Sequence, residues 1–399
     1  MNSDAPFLVV GCGGIGSAAL YWLARTAAPY SGVLGLEQRA PGPDHDTGRR
    51  EHSRTFGLTP RRDVHAALAP HAHRTWRQVE SLSGQTLLTE TGGLVITDVG
   101  AGHGPGTAVA PRHGGAPGAR ADDDTTAELL DAGSITARWP QFRLHGTERA
   151  LHRRRSGVLD VRRADATHVA LARGHGAQIR ENSPVRVLHD PGRHVEVVTD
   201  DEIYRAERVV VAVDAGTNEV LDGLLPALPL TATQEVLTYY ATPNLIDFSP
   251  ERFPVFRWHG AEDYTGFGVH AEVATGLGER RFAPEATAAP WVFEPDPLHH
   301  KRQEAFLAEH VPGMLGPELC TTTSLCTTPP DGRLVLGTVP GHPRVSVAVG
   351  AGPASAFTSL LGRILAELAL TGRTGYPIEE FALDRPALTD SRLLRTRGV

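Results

Sequence analysis

Phe7-Leu8-Val9-Val10 runs directly into Gly11-Cys12-Gly13-Gly14-Ile15-Gly16, and this junction limits the fold more than any other segment. Four apolar residues before a glycine-rich turn read as a buried strand. Residues 17–26 have helical composition, and Val33-Leu34-Gly35-Leu36 reads as a second buried strand closed by Glu37. Strand, turn, helix, strand and acid within about 30 residues form a βαβ unit. Gly11 permits the tight turn, Gly13 lets the backbone approach a pyrophosphate, and Gly16 lets helix and strand pack closely. A helix starting near Gly14 and Ile15 offers free N–H groups and a positive dipole end to a diphosphate. Glu37, about 20 residues beyond the last glycine, is placed to accept from both ribose hydroxyls of an adenosine. A carboxylate there disfavours a 2′-phosphate and with it NADP, while FAD and NAD both satisfy the spacing.

At about 150 residues per domain, 399 residues allow two or three domains. Forty per cent apolar and 21% charged residues are ordinary for a globular protein. Acidic residues outnumber basic ones 46 to 39, and the net charge of −7 gives no reason to expect nucleic acid or anionic membrane as partners. Cys12, Cys320 and Cys326 are too few and too scattered for a disulfide framework or a zinc knuckle. The amino terminus lacks the order of a signal peptide, and residues 354–370 carry Arg363 and Glu367 within an apolar run too short for a membrane span. The expectation is a cytoplasmic protein, monomer or homodimer, acting on a small molecule and binding no metal. Lys301 is the only lysine among the 39 basic residues, so chemistry needing an amine side chain has one candidate.

Further along, helices are expected over 63–80, 124–138, 167–175, 297–310 and 354–370. Strands are expected at 87–88, 93–96, 185–187, 194–198, 209–213, 333–336 and 345–349. Residues 98–120, rich in Gly and Pro, read as a loop. The alternating, aromatic-rich runs within 225–295 have the pattern of antiparallel sheet. The result is an α/β (α+β) chain. A Rossmann-like dinucleotide-binding domain is built from discontinuous segments (1–85, 150–222 and 325–399), with a β-rich substrate domain (86–149 and 223–324). A second glycine turn, Gly350-Ala351-Gly352-Pro353, follows a strand and precedes a helix. It turns another positive helix terminus toward a ligand.

Several motifs occur in a telling order: the first glycine turn, Glu37, Arg49-Arg50-Glu51-His52-Ser53-Arg54-Thr55, Trp76 and Thr91-Gly92-Gly93-Leu94. Pro330-Asp331-Gly332, Leu368-Ala369-Leu370-Thr371-Gly372 and Asp384-Arg385-Pro386-Ala387-Leu388 close the series. Together they resemble the monomeric sarcosine oxidase and N-methyltryptophan oxidase group of the D-amino-acid-oxidase-like FAD-dependent oxidoreductases. The resemblance implies FAD. Gly11, Gly13, Gly14, Ile15 and Gly16 would hold the diphosphate, with Glu37 and Gln38 at the ribose and the Val185 backbone at the adenine. Ser53, Arg54 and Thr55 would reach the flavin, and Gly350, Gly352, Pro353 and Ala354 would lie against its pyrimidine side. A fixed cation such as Arg54 favours electron-rich reduced flavin.

Three departures from the family pattern shape the expected chemistry. Its flavin-attachment cysteine falls on Ser324, two residues short of Cys326, so non-covalent FAD is expected, with attachment at Cys326 or Cys320 as the alternative. Its oxygen-assisting lysine falls near Gly276, where the nearest cations are Arg280 and Arg281. An arginine supplies charge but does not readily shuttle a proton. The usual cationic substrate clamp is not evident, which points to a larger or less charged amine than N-methylglycine. His270, in the aromatic-rich segment, is the candidate acid/base, beside Arg54 and Arg280 as catalytic candidates. The expected activity is oxidation of a C–N bond by hydride transfer to flavin N5, in specialised metabolism. The alternatives are an FAD dehydrogenase or desaturase with a non-oxygen acceptor, and a flavin-binding protein with degenerate catalytic residues.

Overall fold

Strand β1 (Asp4–Val10) lies parallel to β2 (Val33–Leu36) on one side and to the Ile203–Val211 strand on the other. Helix α1 (Gly14–Thr26) makes the crossover. These features belong to a computed structural model that describes residues 4–27, 32–39, 53–58, 64–98, 127–260, 263–282, 298–350 and 355–389. A parallel strand covered on both faces needs apolar residues at successive positions. Accordingly Leu8 and Val10 enter one core with Leu36, Val209 and Val211, while Val9 enters another with Leu20, Leu23 and Leu361.

The mixed sheet has eight strands. Its parallel centre runs from Gln178–Arg180 through β2, β1 and Ile203–Val211 to His342–Val349, and antiparallel hairpin strands complete it. The strands therefore come from chain segments far apart, 4–36, 178–211 and 335–349. Helix Thr358–Thr371 lies against α1, and Trp22 Nε1 donates to the Ser359 carbonyl at 3.1 Å.

A second eight-stranded sheet is ordered Glu318–Thr328, Thr231–Tyr240, Thr275–Phe282, Asp263–Phe267, Val255–His259, Gly93–Asp98, Glu148–Arg153 and Glu128–Asp131. All neighbours are antiparallel except the Gly93–Asp98 and Val255–His259 pair. Helix His299–His310 covers one face, where Phe306 and Leu307 join Phe256, Trp258 and Tyr264. A small sheet of Ser53–Phe56, Gly157–Asp160 and Leu88–Glu90 completes the β structure. The α/β class and the antiparallel second sheet agree with expectation.

Several element boundaries differ from those expected. Residues 128–131 form a strand, and only Ala132–Arg138 is helical, started by Asp131 accepting from the Ser134 N–H at 2.8 Å. The helix expected from residue 167 begins at Val161, because Asp160 accepts from the Arg163 N–H at 2.9 Å. The strand expected over 333–336 is Val335–Val339. The loop read over 98–120 falls, from residue 99 on, outside the described residues. No described helix is long and apolar enough to cross a membrane.

Candidate functional site

The first glycine turn is built as its spacing predicts. Gly11 adopts φ +81° and donates its N–H to the Leu36 carbonyl at 2.9 Å, tying the turn to β2. A Cβ on Gly16 would stand 1.7 Å from the Gly11 carbonyl oxygen, so only glycine lets α1 approach the turn this closely. Gly13 caps α1 without a side-chain hydrogen bond, leaving the first N–H groups without a side-chain cap.

Glu37 follows β2 and is fixed from both sides. Its N–H donates to the Arg180 carbonyl at 2.8 Å, and its own carbonyl accepts from the Ser183 N–H at 2.8 Å. The carboxylate accepts from the Cys12 N–H at 2.7 Å through Oε2 and from the Arg39 N–H at 3.3 Å through Oε1. An oriented carboxylate beside an unblocked helix start suits a ribose next to a diphosphate, so these residues fit the adenosine half of FAD. Burial first, then the Glu37 charge, pushes the Cys12 thiol up, so it remains protonated. Gln38 is exposed just beyond Glu37, and Val185 is half-buried at the start of the Val185–His189 strand.

The second half of the site lies where the sheets meet, and the Ser53–Phe56 strand is its centre. Arg54 Nη1 donates to Glu235 Oε2 at 2.6 Å, and both side chains are about five-sixths buried, at 15% and 16% exposure. Cys326 Sγ stands 3.7 Å from the same carboxylate oxygen and 4.0 Å from Arg54 Nη2. Glu235 and Cys326 belong to adjacent strands of the second sheet. Phe56 meets Phe357 edge-on at 6.3 Å, which brings the strand to the start of the Thr358–Thr371 helix. Ser53 Oγ donates to the His270 carbonyl at 3.5 Å.

The seam continues through Thr327, whose hydroxyl donates to Asp214 Oδ1 at 2.5 Å, and through Gly350, packed against Pro329. Asp214 follows the Ile203–Val211 strand and Gly350 follows His342–Val349, so both come from the mixed sheet. His270 Nε2 is buried without a hydrogen-bond partner. Burial holds this imidazole below its ordinary pKa, against the upward pull of Asp160, so the ring is neutral at neutral pH.

A family profile described as FAD dependent oxidoreductase (DAO) matches residues 7–368. The chain belongs to this family. It is an FAD-dependent oxidoreductase. It is 27% identical over 394 residues to monomeric sarcosine oxidase of Streptomyces avermitilis, covering 96% of this chain and 97% of that one. It is 26% identical over 393 residues to N-methyl-L-tryptophan oxidase of Citrobacter koseri, covering 95% and 98%. Among solved structures, the open form of NikD, described as an unusual amino acid oxidase essential for nikkomycin biosynthesis, has a TM-score of 0.79. Its identity is 26%, over 95% of this chain and 97% of that chain. L-proline dehydrogenase from P. horikoshii shares the fold, at 15% identity and TM-score 0.76 over 96% and 97% of the two chains.

The oxidoreductase thus brings the first glycine turn and Glu37 together at one end of its mixed sheet. Ser53, Arg54, His270 and Gly350 lie along the seam. Thr55, on the same strand, is half-buried. Gly352, Pro353 and Ala354 lie outside the described residues, as does the Arg280 side chain, although the Arg280 backbone stands opposite Glu235 in register. Lys301 is exposed on the His299–His310 helix. Sequence reasoning did not single out Glu235 or Thr327. The signal for Glu235 was a charged residue inside an otherwise apolar and threonine-rich strand.

Proposed function

We propose that this FAD-dependent oxidoreductase oxidises the C–N bond of an amine or amino-acid-derived small molecule bound at the seam between its two large sheets. The observation that carries the reading is the Arg54–Glu235 pair beside Cys326. There, a strand of the small sheet, which also touches the start of the Thr358–Thr371 helix, meets the antiparallel sheet. Bound FAD supplies the acceptor for a hydride from the carbon α to nitrogen, and the substrate leaves as an imine.

In this reading Gly11, Gly13, Gly14, Ile15 and Gly16 hold the diphosphate, Glu37 and Gln38 the ribose, and the Val185 backbone the adenine. Gly350 with Gly352, Pro353 and Ala354 borders the flavin beside Ser53 and Thr55. Arg54 supplies positive charge near the ring, and Glu235 sets its position and tempers that charge. A cation already matched by a carboxylate is a weak clamp for a second one, which supports an amine recognised by shape more than by a free carboxylate. His270, neutral and with a buried Nε2 to satisfy, is the group to accept the amine proton. Arg280 is the remaining catalytic candidate.

The division into an FAD-binding domain (1–85, 150–222, 325–399) and a substrate domain (86–149, 223–324) is supported by strands of the mixed sheet coming from three separate segments. Non-covalent FAD is supported by Ser324 standing at the attachment position. Oxygen as acceptor is favoured by the oxidase relatives, and a place in specialised metabolism by the likeness to NikD. We take the protein as cytoplasmic, a monomer or homodimer.

Two measurements test this. Acid precipitation of the yellow protein should release flavin into the supernatant; flavin retained in the pellet would overturn non-covalent attachment. Anaerobic mixing with linear and cyclic secondary amines should bleach the flavin band. A panel of amines and amino acids that leaves the band unchanged would remove the C–N oxidation reading.

A further inference from the structure

We propose that His145, Glu309 and His310 form a surface site for a zinc-class divalent cation, apart from the flavin seam, that staples the second sheet to its covering helix. Among the described residues these three bring their ligand atoms within 4.8 Å of one another. His145 Nε2 stands 3.7 Å from Glu309 Oε1, and His310 Nε2 stands 3.9 Å from the same oxygen. Donor atoms around a tetrahedral zinc with bonds of about 2.0–2.1 Å sit about 3.4 Å apart. The two gaps to Glu309 therefore need to close by only about half an ångström or less to match that geometry, and the two imidazoles, within 4.8 Å of each other, close on the ion by rotation of the exposed His145 side chain. Two imidazoles and one carboxylate leave a fourth position for water. That donor set suits zinc better than the oxygen-seeking magnesium or calcium.

The three groups stand on two pieces of chain, each held in place by its surroundings. His145 lies in the turn before the Glu148–Arg153 strand, where the N–H groups of His145 and Gly146 both donate to the Glu148 carboxylate at 2.9–3.0 Å. Glu148 is buried, so this turn is fixed from within. Glu309 and His310 end the His299–His310 helix, and the His310 carbonyl accepts from the Arg143 N–H at 2.8 Å. The His310 ring packs on Trp258 with centroids 4.1 Å apart, which restricts its rotation. Ligands whose orientation is already restricted lose little freedom when a metal binds. The side chains of His145 and Glu309 are more than half exposed, so an ion reaches the site without any rearrangement of the core.

The test uses the full-length flavoprotein after dialysis against EDTA. Titration with zinc chloride should show one saturable equivalent and a rise in melting temperature that EDTA reverses. His145→Ala and Glu309→Gln should each weaken binding about tenfold or more, whereas the double change His71→Ala, His73→Ala should not. Cupric ion should quench Trp258 emission, through contact at His310, and Trp258→Phe should remove that quenching while retaining zinc uptake. No saturable zinc binding by the wild-type chain would overturn the proposal. So would unchanged affinity in both the His145→Ala and Glu309→Gln variants.

Discussion

Arg54 and Glu235 meet at 2.6 Å across the seam between the small sheet and the antiparallel sheet, with Cys326 against the same carboxylate. The pair joins the small sheet to the antiparallel sheet beside the proposed flavin site, so it links packing to electrostatics. Glu235→Gln keeps a hydrogen-bonding group of the same shape and removes the charge. Loss of a charge-assisted bond at a largely buried site is expected to cost about 2 kcal/mol of stability. It should also leave more positive charge beside the flavin, raise its reduction potential and shift its absorption bands. A potential and spectrum identical to wild type would show that Arg54 does not face the ring.

At the adenosine end, the expected effects of substitution separate fold from affinity. Gly16→Ala places a methyl group 1.7 Å from the Gly11 carbonyl oxygen, so α1 must move and the diphosphate cradle opens. The purified variant should be colourless. Glu37→Gln still accepts from the Cys12 N–H but has lost the charge that meets the ribose. FAD affinity should fall about tenfold to a hundredfold, corresponding to a charge-assisted bond of about 1.5–3 kcal/mol. Equilibrium dialysis of the deflavinated variants reads both outcomes directly.

The βαβ unit was legible because its signal is local: apolar runs, three glycines and one acid within a single stretch of chain. Glu235 was not, because its meaning depends on a partner 181 residues away in sequence. The Glu318–Thr328 strand was also missed. Its sequence, ELCTTTSLCTT, is too polar to read as buried sheet, and its pairing with Thr231–Tyr240 supplies what the pattern lacks. Thr275–Phe282 was obscured by glycines at 276 and 278, which pattern rules read as a turn. Other motifs were visible while their role was not. Asp331 and Arg385 belong to two of the segments that suggested the family, and the structure joins them as a clamp, Arg385 Nε and Nη2 donating to Asp331 Oδ2 and Oδ1 at 2.8 and 3.0 Å.

That clamp carries a pH dependence. Burial raises the Asp331 pKa, but hydrogen bonds from the Arg385 side chain and the Arg333 N–H outweigh it, and the carboxyl lies below its ordinary 3.8. A carboxyl with a depressed folded pKa contributes stability that is present in full above 3.8 and is lost as pH falls through the folded value. Asp331→Asn should therefore lower stability at neutral pH and flatten the loss below pH 4, as followed by urea melts at several pH values. Arg385 also donates to the Phe381, Ala382 and Arg333 carbonyls. Removing it by Arg385→Ala leaves a partly exposed carboxylate without its partner and should cost about 1.5–3 kcal/mol, the range for a hydrogen bond to a charged group.

His168 is expected to set a second, higher acid limit. Its ring is fully buried among Tyr21 and Trp76, with Nε2 3.0 Å from the Ser359 hydroxyl and Nδ1 without a partner. Burial pushes its pKa from 6.5 down to about 3, so the folded protein holds the neutral ring. The unfolded chain takes up a proton near pH 6.5 and the folded chain does not, so protonation favours unfolding. Stability from this site is complete above pH 6.5 and falls by about 1.4 kcal/mol per pH unit as the solution is acidified toward pH 3. His168→Gln keeps a hydrogen-bonding group for Ser359 but cannot titrate. It should remove this site's share of the slope between pH 6 and about 4, leaving the smaller contributions of other imidazoles held down by burial, such as His270, and the carboxylate losses at lower pH. An unchanged slope in the variant would mean that His168 is already protonated, or free to become so, in the folded state.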